Sequence, residues 1–254
     1  MGLAREVFDI TGPFRSIFRN CSLLWQFVKR NIAARYRGSM LGLVWSFVQP
    51  LMMLCVYTFV FSVVFQNRWG VDMTTSGRGA FAIIMFCGMA LYSIFSESIS
   101  SSCGIVLGNP NFVKKVIFPL EVLPLSQTIS TFVLGAVWFF LLFLGVIFIF
   151  GKLSFTMLLL PLILLPLFLF TLGIAYFVAS LGVYVRDTTY VIQVILQVLF
   201  FMTPIFYPIE AVPKQFRWPL RVSDISKCFE ELACTNLPPL LQNGNFPSSR
   251  RHGT

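Results

Sequence analysis

The stretch VLPLSQTISTFVLGAVWFFLLFLGVIFIFG, residues 122–151, decides the fold class. It carries no charge, and its Ser, Thr and Gln residues all lie in its first third. Crossing the hydrocarbon layer of a bilayer takes about 20 apolar residues as a helix, because each residue advances the chain by only about 1.5 Å. Strands that cross a bilayer are short and alternate apolar with polar residues, whereas this run is continuously apolar. Residues 122–151 therefore predict a membrane-crossing α-helix.

On either side of it lie other charge-free runs of span length: 38–67, 79–96 (continuing towards 107), 153–185 and 188–209. The expected fold is all-α, a polytopic helical membrane protein with five detectable spans. Composition agrees: 57% of the 254 residues are hydrophobic, 11% are charged and 29 are Phe, more apolar surface than a soluble domain of this length can bury. The charges are also unevenly placed. Between 39 and 209 they are Arg68, Asp72, Arg78, Glu97, Lys114, Lys115, Glu121, Lys152, Arg186 and Asp187. Three regions follow: a cytoplasmic amphipathic segment at 1–39, a transmembrane domain at 40–209 and an atypical tail at 210–254.

Short loops rich in Lys and Arg stay cytoplasmic. Residues 1–39 hold Arg5, Arg15, Arg19, Lys29, Arg30, Arg35 and Arg37; the second connection between spans holds Lys114 and Lys115, and the fourth holds Arg186. The opposite side holds Arg68, Arg78 and Lys152. The N-terminus is thus expected inside, and the protein multi-pass. The first apolar run begins near residue 40 and is too long for a cleavable signal, so the first span is expected to direct its own insertion. The net charge of +9 sits beside the spans instead of forming a patch interleaved with aromatics, which argues against nucleic acid. The cysteines have no metal-ligand spacing, and the single histidine is His252, so no metal and no cofactor are expected on this chain.

Before the first span, Phe14, Ile17, Phe18, Cys21, Leu24, Trp25, Val28 and Ile32 recur at steps of three and four, with Arg15, Arg19, Lys29 and Arg30 between them. That pattern predicts an amphipathic helix with a basic face, suited to the cytoplasmic lipid interface. Gln49 and Pro50 predict a bend within the first span. Gly38-x-x-x-Gly42 and Gly104-x-x-x-Gly108 suggest close helix approach. Glu97 is the one acid inside an apolar region; its place near the end of its run, among serines, makes it a boundary or helix-pairing residue more readily than a proton relay. The connection from Asn109 to Pro119 is short, basic and bounded by prolines. From spacing alone it reads equally as a docking element for a soluble partner and as a charged loop that only fixes topology.

Several segments together resemble the membrane subunit of bacterial polysaccharide-export ABC transporters, the ABC type-2 permease family. They are Arg35-Tyr-Arg-Gly-Ser-Met-Leu-Gly-Leu-Val-Trp-Ser-Phe-Val-Gln-Pro50, Phe95-Ser-Glu-Ser98, Asn111-Phe-Val-Lys-Lys-Val-Ile-Phe-Pro-Leu-Glu-Val-Leu-Pro124, Arg186-Asp187 and Thr203-Pro-Ile-Phe-Tyr-Pro208. The resemblance covers roughly residues 13–219, in order. It implies a permease in the bacterial cytoplasmic (inner) membrane that pairs with a second copy of itself and with two copies of a separate ATP-binding subunit. By the same resemblance, Asn111, Phe112, Val113, Lys114, Lys115, Val116, Ile117 and Phe118 form the coupling helix that docks in the ATPase. Arg35, Tyr36 and Arg37 belong to the interfacial helix or gate, and Arg186 and Asp187 to a cytoplasmic loop.

The cargo so implied is a lipid-linked polysaccharide such as O-antigen, capsule or teichoic acid, in a channel lined with aromatics. Trp45, Tyr57, Phe206 and Tyr207 are candidates for that path, with Phe47, Phe200 and Phe201, since flat rings with a polar handle suit sugar faces. No Gly-x-x-x-x-Gly-Lys-Ser/Thr loop occurs, so ATP belongs on the partner subunit, and the chain itself is expected to be a transporter subunit and not an enzyme. The alternatives are an ion-coupled carrier, or ABC export of a drug or small lipid. The family usually closes with a sixth span. Here residues 221–254 contain no span-length apolar run, which suggests a frameshift or truncation.

Overall fold

A computed structural model of the chain describes residues 21–60, 75–109, 120–150, 160–185 and 187–203. Their regular structure is helical: α1 (Cys21–Arg35), a 3-10 turn (Gly42–Val44), α2 (Trp45–Phe59), α3 (Thr75–Cys103), α4 (Val122–Phe150), α5 (Leu160–Tyr184) and α6 (Thr188–Met202). No strand occurs among the described residues. Helix occupies most of the described part of each apolar run. Among the described residues two stretches, Val122–Ile147 and Leu164–Tyr184, have the length and composition to cross a bilayer. Within each of these only 28% of the most apolar window is buried, whereas the core helix of a soluble protein is mostly buried. Val133, Phe140 and Ile147 show why: at seven-residue steps they form an exposed apolar stripe along α4.

The described helices divide between two compact units. The first comprises Met1–Leu43, Ile94–Gly135 and Phe168–Leu199. Its core joins Phe27 of α1 to Ile105, Val122 and Leu123, flanked by Leu23, Leu24 and Val106. Several of the unit's buried hydroxyls are satisfied within their own helix, whereas those of Ser98 and Thr171 have no partner among the described residues. Ser102 donates to the Ser98 carbonyl (2.7 Å), Thr128 to that of Pro124 (3.0 Å) and Ser126 to that of Leu123 (2.8 Å). Such back-bonding is how hydroxyls sit in an apolar helix without an orphaned donor. Phe95 stacks on Phe170, and Phe132 meets Phe168 edge-on.

The second unit comprises Val44–Ser93, Ala136–Leu167 and Phe200–Thr254. It is aromatic: Phe86 stacks on Trp138 (5.4 Å between centroids), and Phe200 packs on both Tyr92 and Phe201. Pro50 lies inside α2 with its ring fully buried, where it has no N–H to give the Ser46 carbonyl. Pro166 interrupts α5 in the same way.

Three expectations change. The apolar run at 38–67 begins as a turn, not a helix: Gly38 (φ +91°) and Gly42 (φ +51°) hold left-handed backbone, and α2 starts only at Trp45. Neither glycine pair packs helix on helix, since Gly104 and Gly108 form the turn after α3, where the Gly108 N–H donates to the Gly104 carbonyl (2.8 Å). The glycines that do allow close approach are Gly135, beneath the Ile94 side chain, and Gly182, against the Cys103 carbonyl. Finally, α1 packs in part against protein, through one residue of the expected stripe, Val28, and one outside it, Phe27. Phe27 and Val28 are buried while Cys21 and Trp25 are exposed. Phe14, Ile17 and Phe18 lie outside the described residues.

Candidate functional site

The chemistry-bearing side chains of the first unit converge where α1 lies across the ends of α3 and α4. Arg35, the last residue of α1, pairs with Glu97 of α3 (Nη2 to Oε1, 3.1 Å). Arg30, which also lies over the Phe27 ring at 4.4 Å, donates to the Oδ1 of Asn109 (3.1 Å). Asn31 donates through its amide to the Ser126 hydroxyl of α4 (3.3 Å), and the Ser130 hydroxyl donates to the Val28 carbonyl (3.4 Å). One face of α1 thus supplies apolar contact, and its rim supplies an ion pair and amide and guanidinium hydrogen bonds.

These contacts matter because of what lies between Asn109 and Leu120. The N-terminal flank of the 110–119 connection is held by Arg30 on Asn109, whose own amide donates to the Ile105 carbonyl (2.8 Å). The C-terminal flank is held by Tyr176 of α5, whose hydroxyl donates to the Glu121 carbonyl (2.7 Å), and by the fully buried Val122 and Leu123. The N-terminal flank is thus tied to α1 and the C-terminal flank to α5.

Glu97 pairs helices, as its position near the end of α3 suggested, with Arg35 as the partner. Both side chains are partly exposed, at 32% and 45%, so solvent screens the pair and its net worth is below about 1 kcal/mol. Glu97→Arg is expected to cost more than Glu97→Gln, because it sets two guanidinium groups side by side. The exchange Arg35→Glu with Glu97→Arg should recover most of that loss in a double-mutant cycle on thermal stability. Equal losses for Glu97→Arg and for the exchange would show the pair to be incidental.

The other expected site residues fall as follows. Tyr36 is half-buried and Arg37 exposed, both in the turn after α1. Asp187 immediately precedes α6, its carbonyl accepting from the Tyr190 and Val191 N–H groups, with its negative charge at a helix N-terminus. Trp45 and Tyr57 lie at the two ends of α2, twelve residues and about 120° apart around the helix, so they do not share one stripe. Asn111, Phe112, Val113, Lys114, Lys115, Val116, Ile117, Phe118, Arg186, Phe206 and Tyr207 lie outside the described residues. Sequence reading passed over Asn31, Ser126, Ser130 and Tyr176. The i, i+4 spacing of Ser126 and Ser130 in an apolar run is the one weak signal that two of them carry.

Comparison with known proteins adds an independent line. The sequence profile described as ABC-2 type transporter matches residues 22–232. An O-antigen export system permease protein RfbA from Myxococcus xanthus is 30% identical over 202 residues, covering 78% of this chain and 73% of that protein. A protein of the same description from Klebsiella pneumoniae is 27% identical over 198 residues, covering 77% and 73%. Another from that organism is 25% identical over the same coverage.

Proposed function

Because the chain belongs to the ABC-2 type transporter family, we propose that it is the permease subunit of an exporter that moves lipid-linked polysaccharide of the O-antigen kind across the cytoplasmic membrane. Its relatives are named for O-antigen export, which supports that cargo over capsule or teichoic acid. The transmembrane domain at 40–209 crosses the membrane five times from a cytoplasmic N-terminus, with 1–39 as the interfacial segment and 210–254 as a tail. It works as a homodimer with two copies of an ATP-binding subunit. ATP is bound and hydrolysed on that partner, and this chain needs no cofactor of its own.

The observation that supports coupling through 111–118 is the fastening of both flanks of that segment: Arg30 on Asn109, Tyr176 on the Glu121 carbonyl. A docking element transmits work only if its ends do not yield, and here each end is tied to a different helix. An ion-coupled carrier needs an ionisable group free to exchange protons near mid-membrane. Glu97 is instead engaged by Arg35, two turns from the end of α3.

Expressed with its ATPase subunit in a strain lacking both, the permease is expected to restore surface polysaccharide. Export should persist when the ion gradient is collapsed at constant ATP. Export that stops with the gradient while ATP is maintained would favour the carrier.

A further inference from the structure

The basic residues of α1 and its following turn divide into two sets. Arg30 and Arg35 are spent on the protein, bonded to Asn109 and Glu97. Lys29 and Arg37 are exposed, and among the described residues Arg35–Glu97 is the only ion pair. Lys29 extends over the ring of Trp25, one turn back along the same helix, with its ammonium 5.8 Å from the ring centroid. Trp25 is itself half-exposed. A few residues on, Met40 is fully exposed and Leu41 and Leu43 half-exposed, in the turn held by Gly38 and Gly42.

We propose that Trp25, Lys29 and Arg37 form a binding surface for the headgroup of an anionic phospholipid. The inference rests on the reading of 1–39 as an interfacial segment and deepens it by naming the lipid chemistry. Three features of the surface argue for lipid. Tryptophan with an adjacent lysine is the side-chain pair that settles at the boundary of headgroup and acyl chain, ring towards the chains and ammonium towards phosphate. The charge is of one sign, which complements a phosphodiester that carries no ammonium of its own. The neighbouring Met40, Leu41 and Leu43 offer apolar side chains for the acyl layer, which a hydrated groove on a soluble protein does not reward.

The full-length permease, extracted in native membrane discs from cells containing both zwitterionic and phosphatidylglycerol lipids, tests this by the lipid retained per protein. Enrichment in phosphatidylglycerol over the bulk membrane is expected. It should fall about fivefold for each charge removed in Lys29→Gln and Arg37→Gln, and should weaken as salt is raised. Lys29→Arg should preserve it. Enrichment unchanged in the double glutamine variant, with the protein folded by size-exclusion chromatography, overturns the proposal. So does unchanged enrichment accompanied by loss of the co-purifying ATPase, which would assign this face to that subunit. A single-cysteine form retaining Cys21, which is exposed on α1, separates the two levels of the reading. A fluorophore there that is quenched by lipid-borne quenchers, in a protein without phosphatidylglycerol enrichment, keeps the interfacial helix and removes only the headgroup selectivity. A fluorophore that is not quenched removes both.

Discussion

Reversing both charges of the 110–119 connection, by Lys114→Glu with Lys115→Glu, is expected to weaken binding of the ATPase subunit about 100-fold and to abolish polysaccharide export. The size follows from the role. Removing one member of a docked, hydrogen-bonded charge pair costs about 2–5 kcal/mol, and each 1.4 kcal/mol is a factor of ten in affinity. The permease itself should remain folded, because the flanks are fastened through Arg30, Asn109, Tyr176, Val122 and Leu123. Two measurements are needed together: co-purification of the ATPase, and thermal stability of the permease alone. Undiminished co-purification with a folded permease would leave these lysines as topology signals only. A contrast is available in Arg30→Ala. That change unties Asn109 and should lower export while leaving more of the ATPase bound, since it slackens the linkage without touching the docking charges.

How far all this was legible beforehand differs from one level to the next. The helices were read from charge-free length, and that is a strong signal because an unpaired backbone group in hydrocarbon costs several kcal/mol, so an apolar run in a membrane has little choice but to be helical. Where a helix begins was not legible by the same rule. Gly38 and Gly42 belong to a charge-free run, yet both adopt left-handed backbone, and hydropathy is blind to that. Which residues of α1 meet protein was not legible for a related reason. Phe27 and Trp25 are both large and apolar, and periodicity cannot say which one faces protein and which faces lipid or water. The structure distinguishes them by what each meets: Ile105, Val122 and Leu123 surround Phe27, while Trp25 has Lys29 laid over it.

The candidate site follows the same division. Glu97 is conspicuous because an acid in an apolar run is expensive, and its partner is Arg35, which the sequence marks for another reason. Asn31, Ser126 and Ser130 gave little warning, because small polar residues in apolar helices most often bond to their own backbone. Ser126 does so, and accepts from Asn31 as well; Ser130 donates to the carbonyls of Ser126 and, across to α1, of Val28. Only the fold reveals that second partner. The glycine pairs show the converse, a spacing motif without the contact it advertises.

Gly182→Ala is expected to be the most damaging small substitution in the first unit, lowering the melting temperature of the purified permease by about 5 °C and export with it. A Cβ at Gly182 would meet the carbonyl oxygen of Cys103 closer than real Cβ atoms approach, and would lie 3.3 Å from its carbonyl carbon. Backbone cannot rotate away, so the end of α5 must part from the end of α3. That end of α3 leads through the Gly104–Asn109 turn to the flank held by Arg30, so the displacement reaches that flank as well as the packing. Gly135→Ala provides the control that identifies the mechanism. Its Cβ would collide with the Cγ1 and Cδ1 atoms of Ile94, a side chain, so Ile94→Ala should restore most of the stability lost there. No side-chain change at Cys103 should restore Gly182→Ala, because the obstructing atom is present in every residue. Recovery of Gly182→Ala by Cys103→Ala would place the conflict at the sulfur, 3.4 Å away, instead of at the carbonyl. An unchanged melting temperature would mean that α3 and α5 do not approach this closely.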